Sequence, residues 1–300
     1  MKNKGLLAIV LVFGFLFSIF FLFVLLVASS SGGDELAING EGIGVVEVIG
    51  PIMDSRQTVE QIERFERSDA IKGIIIRIDS PGGAVAPSQE IHRAVERASD
   101  TKRVVVSMGN TAASGGYYIA CAADKIFANR GSVTGSIGVV TQLTNFEQLK
   151  ELAQVEVHTI TSGQYKDTGN PFREFTEQDR AFFQQLVLNI YEQFISDIAR
   201  SRDMDLDKVR ELADGRIYTG EQAKENGLID ELGSLQDAAE YLAKEVNLST
   251  PPNLVYPTTE DEELLSKLLQ GSARSLTEGL IQGINEQSTP RIEYRYTGPQ

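Results

Sequence analysis

Cysteine is almost absent. Cys121 stands alone in 300 residues, so no disulfide can form within the chain. Tryptophan is missing and histidine occurs twice, as His92 and His158. One thiol and two imidazoles are too few for a zinc site of the Cys/His type. Positive charge is scarce as well: 28 Lys and Arg against 42 Asp and Glu leave a net charge of −14. Phosphate backbones call for clustered basic side chains, so nucleic acid is not an expected partner. No cofactor is expected. Cys121 lies in an apolar run and reads as a buried small residue.

Apolar residues make up 42% of the chain, enough for a sizeable core. Their longest run, residues 5–28, contains no charge. As a helix it spans a hydrocarbon core of about 30 Å. Lys2 and Lys4 precede it and Asp34 and Glu35 follow it. The positive-inside rule then leaves a short cytoplasmic N-terminus and an extracytoplasmic remainder. An uncleaved anchor at the cell membrane is expected rather than a signal peptide, whose apolar region is shorter. The organisation reads as an anchor over 1–28, a polar linker over 29–42, a folded domain over 43–250 and a C-terminal part over 251–300. That last part combines a weakly amphipathic segment, 260–284, with a polar tail expected to be mobile.

Within the domain, strand patterns alternate with helical ones, which predicts an α/β fold. Strands are expected over 45–49, 72–79, 104–108, 125–128 and 137–140. The run Gly-Ile-Ile-Ile-Arg-Ile within the second is apolar on both faces, as in a covered parallel sheet. Helices are expected over 59–65, burying Ile62 and Phe65, and over 84–98, 117–123, 206–212, 220–226 and 235–246. The longest, 176–200, has Thr176 as its cap and Asp179 three residues on.

Residues 104–121 carry the chemistry. A strand breaks into small residues, Ala112-Ala113-Ser114-Gly115-Gly116, and re-enters a helix. Such a turn presents Ser114 with no bulky neighbour. A serine in a small-residue turn also serves as a cap or as packing. As a nucleophile it needs a base. Neither His92, in a helix, nor His158, in a strand-like run, has an obvious orienting carboxylate. A lysine held uncharged by burial could serve instead. Lys166 lies in a loop bounded by Gly163, Gly169 and Pro171, although by itself it reads as an ordinary surface lysine. Developing negative charge on a substrate oxygen calls for backbone N–H donors. Gly82-Gly83 and Gly115 are the turns that could supply them.

Five segments follow one another in an order that resembles the signal peptide peptidase A family, also called protease IV. They are Asp79-Ser80-Pro81-Gly82-Gly83, Ala113-Ser114-Gly115-Gly116-Tyr117-Tyr118, Thr134-Gly135-Ser136-Ile137-Gly138-Val139, Ser162-Gly163-Gln164-Tyr165-Lys166-Asp167 and Gly215-Arg216-Ile217-Tyr218-Thr219-Gly220. Each occurs once, as in the short, single-repeat form. The resemblance implies a Clp protease/crotonase-like fold of stacked β-β-α units and a serine endopeptidase acting on remnant signal peptides. It implies Ser114 as nucleophile, Lys166 as general base and Ser136 as the lysine's hydrogen-bond partner. The N–H groups of Gly83 and Gly115 would form the oxyanion hole, with Gly82 in reserve. It also implies a homo-oligomeric ring in which serine and lysine meet across a subunit boundary. An acyl-CoA enzyme of the crotonase type and a non-catalytic scaffold are the alternatives.

Overall fold

Residues 74–78 and 104–108 are apolar on both faces and form the middle of a parallel sheet, covered by helices above and below. The computed structural model describes residues 41–257 and the backbone of a strand at Ile292–Arg295. The expected anchor, the linker up to residue 40 and the amphipathic segment 260–284 lie outside the described residues. Among those described, no helix is long and apolar enough to cross a membrane.

The elements in order are β1 (Gly42–Ile49), α1 (Arg56–Arg67), β2 (Ile71–Ser80), β3 (Gly82–Ala84), α2 (Val85–Thr101), β4 (Arg103–Ala113), α3 (Gly115–Ala120), β5 (Lys125–Ala128), β6 (Val133–Gly135) and β7 (Val140–Thr141). Then come α4 (Glu147–Leu152), α5 (Glu177–Ser201), α6 (Leu206–Leu212), β8 (Ile217–Thr219), α7 (Gly220–Glu225), β9 (Glu231–Leu232), α8 (Leu235–Glu245), β10 (Leu254–Val255) and β11 (Ile292–Arg295). The main sheet runs β10-β1-β2-β4-β5-β9, with β6 beside the far end of β4 and β8 beside β6. All its pairings are parallel except β6 with β8.

Both faces of the sheet are sealed. On one, Ala238, Ala239, Leu242 and Ala243 of α8 pack on Ile43, Val45, Ile75 and Val105. On the other, the Phe65 ring fills the space above Gly44, where a Cβ would lie 2.5 Å from a ring carbon. Ile74, Ile75, Ile76 and Ile78 are all fully buried. Each such side chain contributes about 1.5–3 kcal/mol relative to exposure.

Three expectations change. The strand expected over 137–140 does not form: residues 137–139 are irregular, between β6, which ends at Gly135, and β7, which begins only at Val140. Gly135 and Ser136 both have positive φ, which breaks the extended run between them. The strand expected over 104–108 continues to Ala113 through two extra residues, since Ile78 pairs with Met108 but Ser80 with Ala112. The third concerns the C-terminal tail. Part of it, β11, pairs antiparallel with β3 and with β7.

Cys121 is 1% exposed, and burial pushes its thiol up to about 12. The folded pKa lies above the unfolded one, about 8.5. This contribution to stability is therefore complete below pH 8.5 and is lost as pH rises from there towards 12. Iodoacetamide should leave the native protein unlabelled at pH 8 and label it on denaturation, and the urea midpoint should fall between pH 8.5 and 10.

Candidate active site

Ser114 sits between the end of β4 and the start of α3, where the strand must turn sharply. Its backbone has φ +54° and ψ −116°, left-handed for a residue with a Cβ. Such a conformation costs on the order of 1–3 kcal/mol and persists only where the surroundings enforce it. Here its N–H donates to the carbonyl of Gly135 at 2.7 Å, and its carbonyl accepts from Tyr118 N–H at 2.9 Å. The side chain is 1% exposed, and its Oγ has no hydrogen-bond partner among the described residues. A buried hydroxyl left unpaired costs about 1–3 kcal/mol more. Ser114 stands at the N-cap position of α3, but its oxygen makes no cap hydrogen bond.

The end of β4 is held in register by Asp79. Its carboxylate accepts from the N–H of Thr111 at 3.1 Å and of Asn110 at 3.3 Å, which secures the two extra residues that precede Ser114. Gly109 lets the strand pass, since a Cβ there would lie 2.8 Å from Asp79 Oδ2.

The structure brings Gly83 and Gly115 together. A Cβ on Gly115 would lie 3.4 Å from the backbone nitrogen of Gly83 and 2.5 Å from Ser88 Oγ. Gly82, at φ +94°, turns the chain into β3; its N–H donates to Ser80 Oγ at 3.1 Å. Its carbonyl accepts from Ile52 N–H at 2.9 Å, while Ala84 N–H donates to Ile52 O at 2.7 Å. Strand polarity alternates, so the N–H and C=O of Gly83 face away from Ile52. The Gly83 N–H thus points away from Ile52, towards β11 and beside Ser114, and that of Gly82 does not.

Ser136 follows Gly135, the acceptor for Ser114. It is 7% exposed, has φ +50° and donates its N–H to Arg216 O at 2.8 Å. It lines a 390 Å³ cleft with Val140, Val187, Leu188, Tyr191 and Ala213.

Lys166 is not brought to Ser114 within one chain. It is exposed, in the turn 163–169, and among the described residues its amine forms no hydrogen bond or ion pair with any group. The loop itself is well anchored. Arg173 donates Nε to Asp167 Oδ2 at 2.6 Å and grips both oxygens of Asp179, at 2.6 and 2.9 Å. These bonds hold the Asp179 carboxyl well below the usual range and lower that of Asp167 too. Asp179 also completes the capping box of α5 with Thr176. Neither histidine replaces the lysine. Buried His92 donates Nδ1–H to the Tyr118 carbonyl at 2.7 Å, and burial lowers its pKa. His158 is exposed beside Glu156 at 3.4 Å. Among the described residues, no group of three or more His, Cys, Asp or Glu is placed to hold a metal ion.

Sequence reasoning missed Ser88, Arg173 and the role of Asp79 in the extra β4 residues. Arg173 could have been found, since it lies six residues from each of Asp167 and Asp179. Ser88 carries no such signal.

The profile of Peptidase family S49 matches residues 96–249, from the second helix past the last helix of the domain. The chain belongs to peptidase family S49, the signal peptide peptidase A family. A Synechocystis protein provisionally named a protease is 40% identical over 235 residues, 78% of this chain and 84% of that one. A second, from Methanocaldococcus jannaschii, is 33% identical over 278 residues, 88% of each chain. The chloroplastic serine protease SPPA of Arabidopsis thaliana is 34% identical over 272 residues, 87% of this chain and 40% of that one. The S49 chain is thus a serine protease of this family.

Two outcomes follow for this S49 protease. Gly115→Ala keeps the backbone N–H but pushes it out of place against Ser88 Oγ, 2.5 Å from the new Cβ, and should lower turnover of a reporter peptide about tenfold or more. Adding Ser88→Ala removes the nearest clash and should restore part of the activity and part of the melting temperature lost to the overpacked methyl. Arg173→Ala leaves the buried Asp179 carboxylate without its guanidinium and should destabilise the fold by about 2 kcal/mol in urea titrations.

Proposed function

We propose that this protein is a membrane-anchored Ser–Lys endopeptidase that cleaves extended apolar peptides, remnant signal peptides among them, at the extracytoplasmic membrane face. The observation that carries the reading is the Ser114 hydroxyl: buried, unpartnered and held in a left-handed turn beside two glycine backbones. Ser114 Oγ attacks the scissile carbonyl, and the N–H groups of Gly83 and Gly115 receive the oxyanion. Lys166 takes the hydroxyl proton and returns it to the leaving amine, and Ser136 orients the lysine by a hydrogen bond. The parallel sheet with a glycine turn after each of its two central strands supports a Clp protease/crotonase-like fold.

Lys166 comes from a neighbouring copy in a homo-oligomeric ring. Two features favour this. The lysine is solvent-facing in its own chain, and the arm that carries it exposes apolar side chains, with Leu152 at 83% and Ile160 at 98%. Exposed apolar clusters of this kind mark interaction surfaces. The apolar run 5–28 holds the ring to the membrane.

Ser114→Ala and Lys166→Ala should each abolish cleavage and leave the fold intact. Mixing the two inactive proteins under conditions of subunit exchange should restore activity, because one supplies the serine and the other the lysine. Silence in that mixture, with each variant folded and assembled, rules out the shared site; turnover in either variant alone rules out its role. A base that works only uncharged makes kcat/KM fall on acidification; an acid optimum contradicts it.

A further inference from the structure

The short helix behind Ser114 ends early, and the last carbonyls of a helix need partners from elsewhere. α3 closes with two tightened bonds, Ala122 N–H to Ile119 O and Ala123 N–H to Ala120 O, both at 3.2 Å. Neither of these takes up the Tyr118 carbonyl. His92 of α2 does, donating Nδ1–H to it at 2.7 Å. A carbonyl only accepts, so the imidazole proton sits on Nδ1. Nε2 is buried and makes no hydrogen bond among the described residues. Burial also lowers the pKa of the ring, which favours its neutral form.

Tyr118 is held on every side. The His92 ring packs against its ring, centroids 4.5 Å apart. Its hydroxyl donates to Asp197 of α5, and Phe194 of the same helix meets its ring edge-on at 5.0 Å. Its N–H reaches the serine, donating to the Ser114 carbonyl at 2.9 Å. That bond and the one to Gly135 are the two that hold the Ser114 backbone at φ +54°. Residue 118 is therefore fixed at its carbonyl by His92 and in turn fixes the strained serine.

We propose that His92 is a positioning residue for the peptidase reaction: acting through residue 118, it holds the Ser114 turn in the geometry from which Oγ attacks. The inference rests on the reading of Ser114 as nucleophile. His92 makes no hydrogen bond to Ser114, whose Oγ has no partner among the described residues. A left-handed conformation at a residue with a Cβ lasts only where its surroundings enforce it. Tyr117 and Ile119 are fully buried and secure the place of α3, while the imidazole donor restrains its far end. Misplacing a reacting group by about 1 Å costs up to about 10²-fold in rate. The donor at Nδ1 is the part that acts, and an asparagine carries Nδ2 to the same position.

The full chain is made as wild type, His92→Leu and His92→Asn. Reporter cleavage and fluorophosphonate labelling at Ser114 are followed at a temperature where melting curves show each protein fully folded. In His92→Leu, kcat and the labelling rate should fall together by about tenfold or more, with KM within about twofold of wild type. His92→Asn should recover most of that loss. A merely structural role predicts wild-type kcat in every folded variant. Wild-type kcat in His92→Leu overturns the proposal, and so does a His92→Asn protein as slow as His92→Leu. If the wild type neither cleaves nor labels, the peptidase reading fails by itself. Hydrogen exchange of residues 114–120 then decides the positioning: faster in His92→Leu than in His92→Asn supports it, and equal rates overturn it.

Discussion

The hydrogen bond from the Ser114 N–H to the Gly135 carbonyl, 2.7 Å long, holds together the two turns on which the site depends. On one side it keeps Ser114 in a left-handed conformation that an L residue rarely adopts. On the other it ties in Gly135 and Ser136, which also have positive φ. Three consecutive pairs, from Thr111 with Val133 to Ala113 with Gly135, lead the two strands to this point. The strain is local and the restraint is distributed over β4, β6 and β8. That division lets a fold keep a conformation that the serine alone would abandon.

Space is the second constraint. Around the serine, glycines occur where another chain segment already fills the volume of a side chain. Gly83 lies against Ile52, whose carbonyl oxygen would be 2.1 Å from a Cβ, and Gly115 lies against Ser88 and Gly83. A Cβ on Gly116 would lie 3.1 Å from the Ser80 carbonyl oxygen. Backbone amides can therefore come within reach of one reacting atom. A side chain at any of these positions would force these backbone segments apart.

The lysine loop is organised on different terms. Arg173 joins Asp167, beside Lys166, to Asp179 at the start of α5, so the loop is fixed to a rigid helix. The same helix buries Phe194, Ile195 and Ile198 late in its length but leaves Phe182, Leu186 and Leu188 partly exposed. Its helical period was readable in the sequence, because spacing alone sets which residues share a face. Which part of that face would find a partner was not, because covering it depends on other segments and other copies.

The sequence alone determined the alternation of strands and helices, the covered parallel sheet, the small-residue turn around Ser114 and the order of the motifs. These follow from local periodicity, from side-chain volume and from the chemistry that each residue type can perform. Tertiary structure alone decided that the N–H of Gly83 rather than that of Gly82 faces away from Ile52 towards β11, that residues 137–139 are not strand, and that Lys166 is exposed and makes no hydrogen bond to Ser114 within its own chain. It also decided that a polar stretch at 292–295 becomes a strand. Edge pairing uses backbone groups that every residue but proline carries complete, so no pattern of side chains announced it.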